Sequence, residues 1–370
     1  MEITMRICFL APANSAHIKK WSKYFVSKGY EVHIVSFTNG ETPGTTVHFI
    51  DAGVDTDSDD GKKLRYLLMA GRVRKIVSQI SPDVINVHYA TSYGTVAAIA
   101  GIKNYILSVW GSDIFVFPNK SPLHKLLLEY SLRKADFLFS TSQAMADEAN
   151  KYTNKHFYIT PFGVDTELFS PTKRTRCDND FVIGTVKGLS PVYGIDYLVK
   201  AVALVHSEHP EIPIKLRIAG KGPDAEKLRV LANNCGIDDI TTWLGFISQE
   251  RAAEEWANMD LAVIYSAGME SFGVSAVEAQ ACACPVIISD VPGLMEATKP
   301  GVTSLVVPRK DAKALAEAIA CLYYDKKKRS ELGTNGRNFV IDSFEYKRCF
   351  ERIEALYGTL QRKKRGSALE

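Results

Sequence analysis

Short runs of apolar and β-branched residues return along the whole chain, separated by longer stretches in which apolar positions recur every three or four residues. In the first half this pattern predicts strands at Arg6–Leu10, Glu31–Ser36, Val47–Ile50, Val84–His88, Tyr105–Val109 and Phe137–Thr141. Helices are predicted between them, notably at Ala16–Lys28, Lys62–Gln79 and Leu123–Lys134. The second half repeats the rhythm, with strands predicted at Val182–Val186, Lys215–Ala219, Thr241–Leu244, Leu261–Tyr265, Val286–Ser289 and Ser304–Val307. Alternation of this kind implies an α/β fold of two doubly wound, Rossmann-like halves with parallel sheets. The break falls in the polar stretch from Gly163 to Cys177, which contains Pro171, and no internal sequence repeat relates the halves.

Composition changes this picture little. The 370 residues exceed the roughly 250–300 that one core usually serves, so two domains are expected. A chain that is 46% hydrophobic and 24% charged reads as a soluble globular enzyme. No apolar run approaches the roughly 18 residues of a membrane span, and the opening Met1-Glu-Ile-Thr-Met-Arg6 is no signal-peptide start, so a cytoplasmic protein is expected. The net charge of +3 gives no argument for nucleic acid. Seven scattered cysteines argue against a disulfide framework, and Cys282-Ala-Cys284, read as lying within an apolar helix, suits packing better than metal. The acidic run Asp55–Gly61 lacks the glycine and the closing glutamate of a calcium loop, so no metal site is expected. Cations gather at Lys62, Lys63, Arg65, Arg72, Arg74 and Lys75, with Lys19 and Lys20. That basic face fits either a solvated helix or peripheral contact with anionic lipid at the inner face of a membrane, which Arg362–Arg365 would assist. Residues 366–370 read as an appended cloning scar.

Candidate chemistry concentrates in loops that follow strands, since open parallel sheets bind ligands at the carboxyl ends of their strands. In Glu270-Ser-Phe-Gly-Val-Ser-Ala-Val-Glu278 two carboxylates lie eight positions apart, around a glycine that opens a helix. The first amides of a helix lack internal partners and carry partial positive charge. Those of Phe272, Gly273, Val274 and Ser275 can therefore receive a diphosphate. Glu278, one turn on, suits a ribose diol, and Glu270 suits the sugar beyond the phosphates. Both are also ordinary acids for a helix start. His88 ends a strand, where it can bond a sugar hydroxyl or acceptor oxygen, or serve the core. Asp113 either bonds an acceptor hydroxyl or caps the turn after Ser108-Val-Trp-Gly-Ser112.

Several segments in one order resemble family 4 of the retaining glycosyltransferases, which have the GT-B fold. They are Phe181–Leu198, Ile218-Ala-Gly-Lys-Gly-Pro223, Trp243-Leu-Gly-Phe-Ile-Ser248, Glu270–Glu278, Pro285-Val-Ile-Ile-Ser289 and Gly293-Leu-Met-Glu296. The resemblance implies an acceptor-side domain at 1–165, a nucleotide-sugar domain at 166–342 and a helix at 343–361 that crosses back to the first domain. It places Glu270 against the donor sugar, Glu278 against the ribose, and the amides of Phe272 to Val274 on the phosphates. Lys221 and Gly222 fall near phosphate, and Phe246 and Ile247 near the base. Asn14, His17 and Lys20 fall on the acceptor side, in a loop where many relatives carry a glycine pair and this chain has Ala13 and Asn14. Trp110 replaces a histidine that reaches the donor sugar in many relatives, which suggests stacking on the sugar. Lys187 and Tyr193 stand where many relatives place an arginine and a lysine, the arginine itself aligning with Gly188. Lys187 is therefore expected to meet the leaving diphosphate. The activity implied is metal-independent, retaining transfer of a hexosyl or N-acetylhexosaminyl group from a UDP- or GDP-sugar, without cofactor, to a glycan or lipid-linked acceptor in surface polysaccharide or glycolipid assembly. Front-face attack assisted by the leaving phosphate is implied as the mechanism. A catalytically silent nucleotide-sugar binding subunit and a GT-B epimerase are the alternatives.

Overall fold

The computed structural model describes residues 5–54 and 64–366; the acidic run Asp55–Gly61, Lys62, Lys63 and the end of the chain after Gly366 lie outside the described residues. The chain divides into two compact units, Met1–Pro161 with Cys349–Glu370, and Phe162–Arg348.

The first unit runs β1 (Arg6–Leu10), α1 (Ala16–Ser27), β2 (Glu31–Ser36), β3 (Thr45–Phe49), α2 (Ala70–Ile80), β4 (Val84–His88), α3 (Tyr93–Ile99), β5 (Tyr105–Val109), α4 (Ser112–Phe115), α5 (Pro122–Lys134), β6 (Phe137–Ser140), α6 (Gln143–Ala149) and β7 (Phe157–Ile159). Its seven strands are all parallel, in the order β3-β2-β1-β4-β5-β6-β7. β4 and β5 are buried at every position, as unbroken apolar runs become when helices cover both faces of a parallel sheet. The second unit runs β8 (Phe181–Val186), α7 (Ile195–Glu208), β9 (Ile214–Ala219), α8 (Ala225–Asn234), β10 (Thr241–Gly245), α9 (Gln249–Asn258), β11 (Leu261–Ile264), α10 (Val274–Ala281), β12 (Val286–Ser289), α11 (Pro292–Glu296), β13 (Ser304–Val307), α12 (Ala312–Tyr324) and α13 (Lys326–Ser343). Its sheet is parallel in the order β10-β9-β8-β11-β12-β13. Helix α14 (Tyr346–Gly366) starts in the second unit and continues into the first. There Phe350, Ile353 and Tyr357 are fully buried; the Phe350 ring meets Trp21, and the Tyr357 ring meets Phe25 and Phe139.

Two expectations about elements are corrected, and one strand was not expected. The helix placed at Lys62–Gln79 is a 3-10 segment over Leu64–Met69 that turns α-helical only at Ala70. Tyr66 is drawn into the core there and stacks on Phe37 at 4.4 Å. Cys282-Ala-Cys284 lies past the end of α10 rather than within it, because Ala283 adopts φ 55°. The strand Phe157–Ile159 was not foreseen: three residues at a sheet edge carry no readable period.

Candidate functional site

Each sheet reverses its strand order once, between β1 and β4 in the first unit and between β8 and β11 in the second. The loops that leave those strand pairs flank the crevice where doubly wound sheets hold ligands.

In the second unit β8 ends into Lys187 and β11 ends into the turn Tyr265–Phe272. Lys187 Nζ donates to Glu270 Oε2 at 2.5 Å, and both side chains are nearly buried, at 7% and 11% exposure. The same ammonium stands 4.5 Å above the Tyr193 ring. What holds these groups is backbone. The Val192 carbonyl accepts from the Ala267 and Gly268 amides at 2.9 and 3.1 Å and from Ser266 Oγ at 3.0 Å, latching the β11 turn to the loop that bears Tyr193. Ser266 is itself fixed by Ser289: its amide donates to Ser289 Oγ, and Ser289 Oγ donates to its carbonyl, each at 2.9 Å.

Gly273 caps α10 in the left-handed region, φ 85°, where a side chain would be strained and would also meet Leu294 at 2.6 Å. The amides of Val274 and Ser275 that follow have no carbonyl partner inside the helix. Ser275 Oγ donates to the Val186 carbonyl at 2.9 Å, tying the helix start to the end of β8 beside Lys187. Gly293, on α11, lets the Glu270 backbone pass so close that a Cβ would stand 2.2 Å from the Glu270 oxygen. Phe272 is buried against Phe344, so only its backbone is available. Glu278 is half-buried one turn into α10. Further along the sheet Lys221 Nζ lies 5.3 Å over the exposed ring of Phe246, next to half-buried Ile247, and Gly222 packs against the Leu189 backbone. The expected residues of this unit thus fall into two groups: Lys187, Glu270 and the α10 start, and Lys221 with Phe246.

The first unit departs further from expectation. His88 is fully buried, its ring edge-on to Phe9, Trp21 and Trp110. Its Nε2 faces Asn86 Nδ2 at 3.2 Å, and among the described residues its Nδ1 meets no hydrogen-bond partner. Burial pushes its pKa down to about 3, and His17 adds repulsion, so the ring is neutral. The hydrogen bond to a ligand expected of His88 is not available to a ring without exposed surface. Asp113 is equally committed. Its carboxylate accepts from the amides of Ala90 (2.9 Å), Trp110 (3.1 Å) and Gly111 (2.8 Å), binding the β4 loop to the β5 loop, and burial raises its pKa against the pull of those amides. All three amides precede Asp113, so its carboxylate ties two loops together rather than capping the turn that follows. Trp110 is 9% exposed, packed among His17, His88 and Tyr89, in place of the open face that sugar stacking requires.

What the first unit does offer is a cavity of about 410 Å³ lined by Asn14, Ser15, Thr38, Tyr66, Tyr89, Ser92 and Tyr93, with Val116, Phe117 and Lys120 also on its wall. Asn14 Oδ1 accepts from Thr38 Oγ1 at 3.0 Å, which holds the β1 loop to the loop after β2. His17 and Lys20, on α1, are half-buried. Burial, with the Lys20 charge next, pushes the His17 pKa down to about 4. Asn14 and Asp113 of this wall were expected site residues, whereas its tyrosines and serines were not. Their signal was position alone, since Tyr89–Tyr93 follows β4 directly.

Two family models match the chain: one described as glycosyl transferases group 1, over residues 169–339, and one described as glycosyl transferase 4-like, over residues 6–142. A D-inositol 3-phosphate glycosyltransferase of Pseudarthrobacter chlorophenolicus is 28% identical over 86% of this chain and 84% of its own length. The N-acetyl-alpha-D-glucosaminyl L-malate synthase of Bacillus anthracis is 23% identical over 90% of this chain and 91% of its own. Among solved structures, sucrose-phosphate synthase of Thermosynechococcus elongatus superposes with a TM-score of 0.83 at 21% identity, covering 96% of this chain and 99% of that one. Anabaena HepE, in complex with UDP and glucose, gives 0.80 at 19% identity, covering 96% and 100%.

Proposed function

We propose, from the premise that the chain belongs to the group 1 glycosyl transferases and has the GT-B fold, that it moves a sugar from UDP to an acceptor hydroxyl with retention of anomeric configuration. The observation that carries the reading is the Lys187–Glu270 pair, set beside the start of α10 where the second sheet reverses its strand order. UDP is favoured over GDP because similar structures were solved with UDP. A hexosyl or N-acetylhexosaminyl group suits the glucose named for the HepE structure and the N-acetylglucosaminyl group named for the Bacillus anthracis relative.

In this reading the diphosphate lies on the amides of Val274 and Ser275 with Lys187 beside it. An ammonium has three donors, so Lys187 can keep Glu270 and still donate to a phosphate oxygen. Glu270, aligned by that pair, accepts from hydroxyls of the donor sugar, and Glu278 from the ribose. The acceptor enters the tyrosine-lined cavity of the first unit. The bond from the anomeric carbon to the phosphate oxygen breaks as the acceptor oxygen bonds the same carbon from the same face. The acceptor's proton passes to the departing phosphate, whose negative charge Lys187 offsets. Because protein cations and amides meet that charge, transfer is expected without a divalent ion or other cofactor.

Calorimetric titration with UDP and GDP, each with and without magnesium, tests the reading. UDP should bind in both conditions, and Glu278→Ala should bind it roughly tenfold less tightly, the loss of about one charge-assisted hydrogen bond. Failure of both nucleotides to bind would remove the donor assignment, and unchanged affinity in the variant would remove Glu278 from it.

A further inference from the structure

Helix α5 (Pro122–Lys134) is apolar on both sides. Leu128, Ser131 and Leu132 form its core stripe, and Leu128 and Leu132 are fully buried. A helix with one core stripe ordinarily turns polar residues outward. Here the outward stripe begins with Leu123 and Leu126, exposed at 62% and 60%, three positions apart and therefore neighbours on one face. Val116, 53% exposed in the segment leading into the helix, extends the apolar surface. Cations accompany it: Lys120, Lys125, Arg133 and Lys134 are all exposed, whereas Glu129 is the one carboxylate between Val116 and Lys134. Tyr130, at the far end of the stripe, carries Arg133 and Lys134 over its ring at 5.8 and 5.6 Å.

We propose that this face of α5 docks the protein on a bilayer surface containing anionic lipid, with Leu123 and Leu126 inserted among the headgroups and the flanking lysines and arginine on lipid phosphates. The composition decides between a membrane and a protein partner. Cores of protein–protein interfaces are depleted of lysine. Leucines interleaved with lysines suit a water–lipid boundary, where long cationic stems lie along the apolar layer and keep their charges at headgroup level. The location gives the surface a purpose. Val116 and Lys120, just before the helix in the chain, are exposed and lie on the wall of the first unit's cavity, so docking sets the cavity mouth near the headgroups. If the glycosyl-transfer reading holds, on which this last step alone rests, the acceptor is an amphiphile whose hydroxyl-bearing head rises from the bilayer.

Co-sedimentation of the full chain with vesicles tests the surface without any turnover. The chain should pellet with phosphatidylcholine vesicles that contain phosphatidylglycerol, lose that binding as salt rises, and stay in solution with phosphatidylcholine alone. Replacing Lys125 and Lys134 together by Gln should weaken partitioning roughly thirtyfold, about fivefold per cation. The double variant Leu123→Ser with Leu126→Ser should weaken it roughly tenfold or more, with an unchanged thermal midpoint because both side chains are exposed. Absence of binding to the anionic vesicles at low salt, or equal binding by the serine variant, overturns the proposal. So does a wild-type dimer in light scattering that the serine variant converts to monomer, since the face would then be taken by a second copy. UDP titration of the same preparation separates the two readings: vesicle binding without nucleotide binding sinks glycosyl transfer alone, and the reverse sinks the docking face alone.

Discussion

The two units share one topology and differ in what they place at its reversal point. Both sheets run three strands out from a centre and then resume on its other side. In the second unit that point holds a full ionic pair, Lys187 with Glu270, almost withdrawn from solvent. In the first it holds neutral rings and hydroxyls. His88 is kept uncharged by burial, Asp113 spends its carboxylate on three amides, and the cavity wall is mainly tyrosine, serine, threonine and asparagine, with Lys120 as its one cation. The fold fixes where a ligand sits, while the residues just past the strands decide which ligand it is. On the proposed function, the site with the buried cation is the one that faces the diphosphate, and the site of rings and hydroxyls faces the acceptor.

The sharpest way to break this contrast is to remove the cation. Lys187→Ala should lower kcat/KM roughly 100- to 1,000-fold, the scale of losing one electrostatic donor to a developing anion. Lys187→Arg, which keeps the charge but not the point geometry, should recover part of it. Glu270→Gln should leave UDP affinity within about twofold of wild type while lowering turnover, because its expected contact is with the sugar. Wild-type kcat/KM in Lys187→Ala, measured with any competent acceptor, would show that the charged pair is structural and the asymmetry without chemical meaning.

A second test addresses the neutral side. The folded pKa of His88 is about 3, below the ordinary 6.5, so between those values the unfolded chain takes up a proton that the folded chain refuses. Its contribution to stability is complete above pH 6.5 and is lost as pH falls toward 3, at about 1.4 kcal/mol per pH unit. His88→Phe, which keeps a ring among Phe9, Trp21 and Trp110, should flatten the stability profile between pH 6.5 and 4. Urea midpoints across that range provide the measurement. Parallel profiles for variant and wild type would mean that His88 takes up its proton in the fold as readily as in the unfolded chain, and that the first unit's reversal point is not neutral.

This contrast also explains which parts the sequence disclosed. Strands such as Val84–His88 and Val286–Ser289 were readable to the residue because parallel strands buried on both faces are plain apolar runs. The helix start at Gly273 was readable as well, from a glycine between a strand and an apolar helix, although its left-handed backbone was not. Direction was not. His88, Trp110 and Asp113 sit at strand ends as expected, but nothing in their order says whether a side chain turns to solvent or into the layer beneath α1. Cross-chain contacts were equally silent. The Val192 carbonyl that gathers Ser266, Ala267 and Gly268 joins residues more than seventy positions apart through backbone atoms, which carry no residue identity.

Tyr193 offers the finest adjustment of the comparison. Its ring lies 4.5 Å from the Lys187 ammonium, and a Cβ at Gly188 would stand 3.2 Å from that ring, so the small residue and the aromatic one occupy a single space. A cation over a ring at a largely desolvated site gains about 0.5–2 kcal/mol, far less than the ammonium does through its charge. Tyr193 is therefore a positioning residue for Lys187, and its two obvious variants should separate. Tyr193→Phe keeps the π face and should transfer sugar within about twofold of wild type. Tyr193→Leu removes it and should raise KM for the donor by roughly three- to tenfold, with kcat falling less, because Lys187 keeps Glu270 but loses the restraint on its other side. Steady-state kinetics over donor concentration distinguish the outcomes. Equal losses in both variants would assign the effect to the hydroxyl, and no loss in either would leave the Val192 latch, not the ring, as the element that aims Lys187.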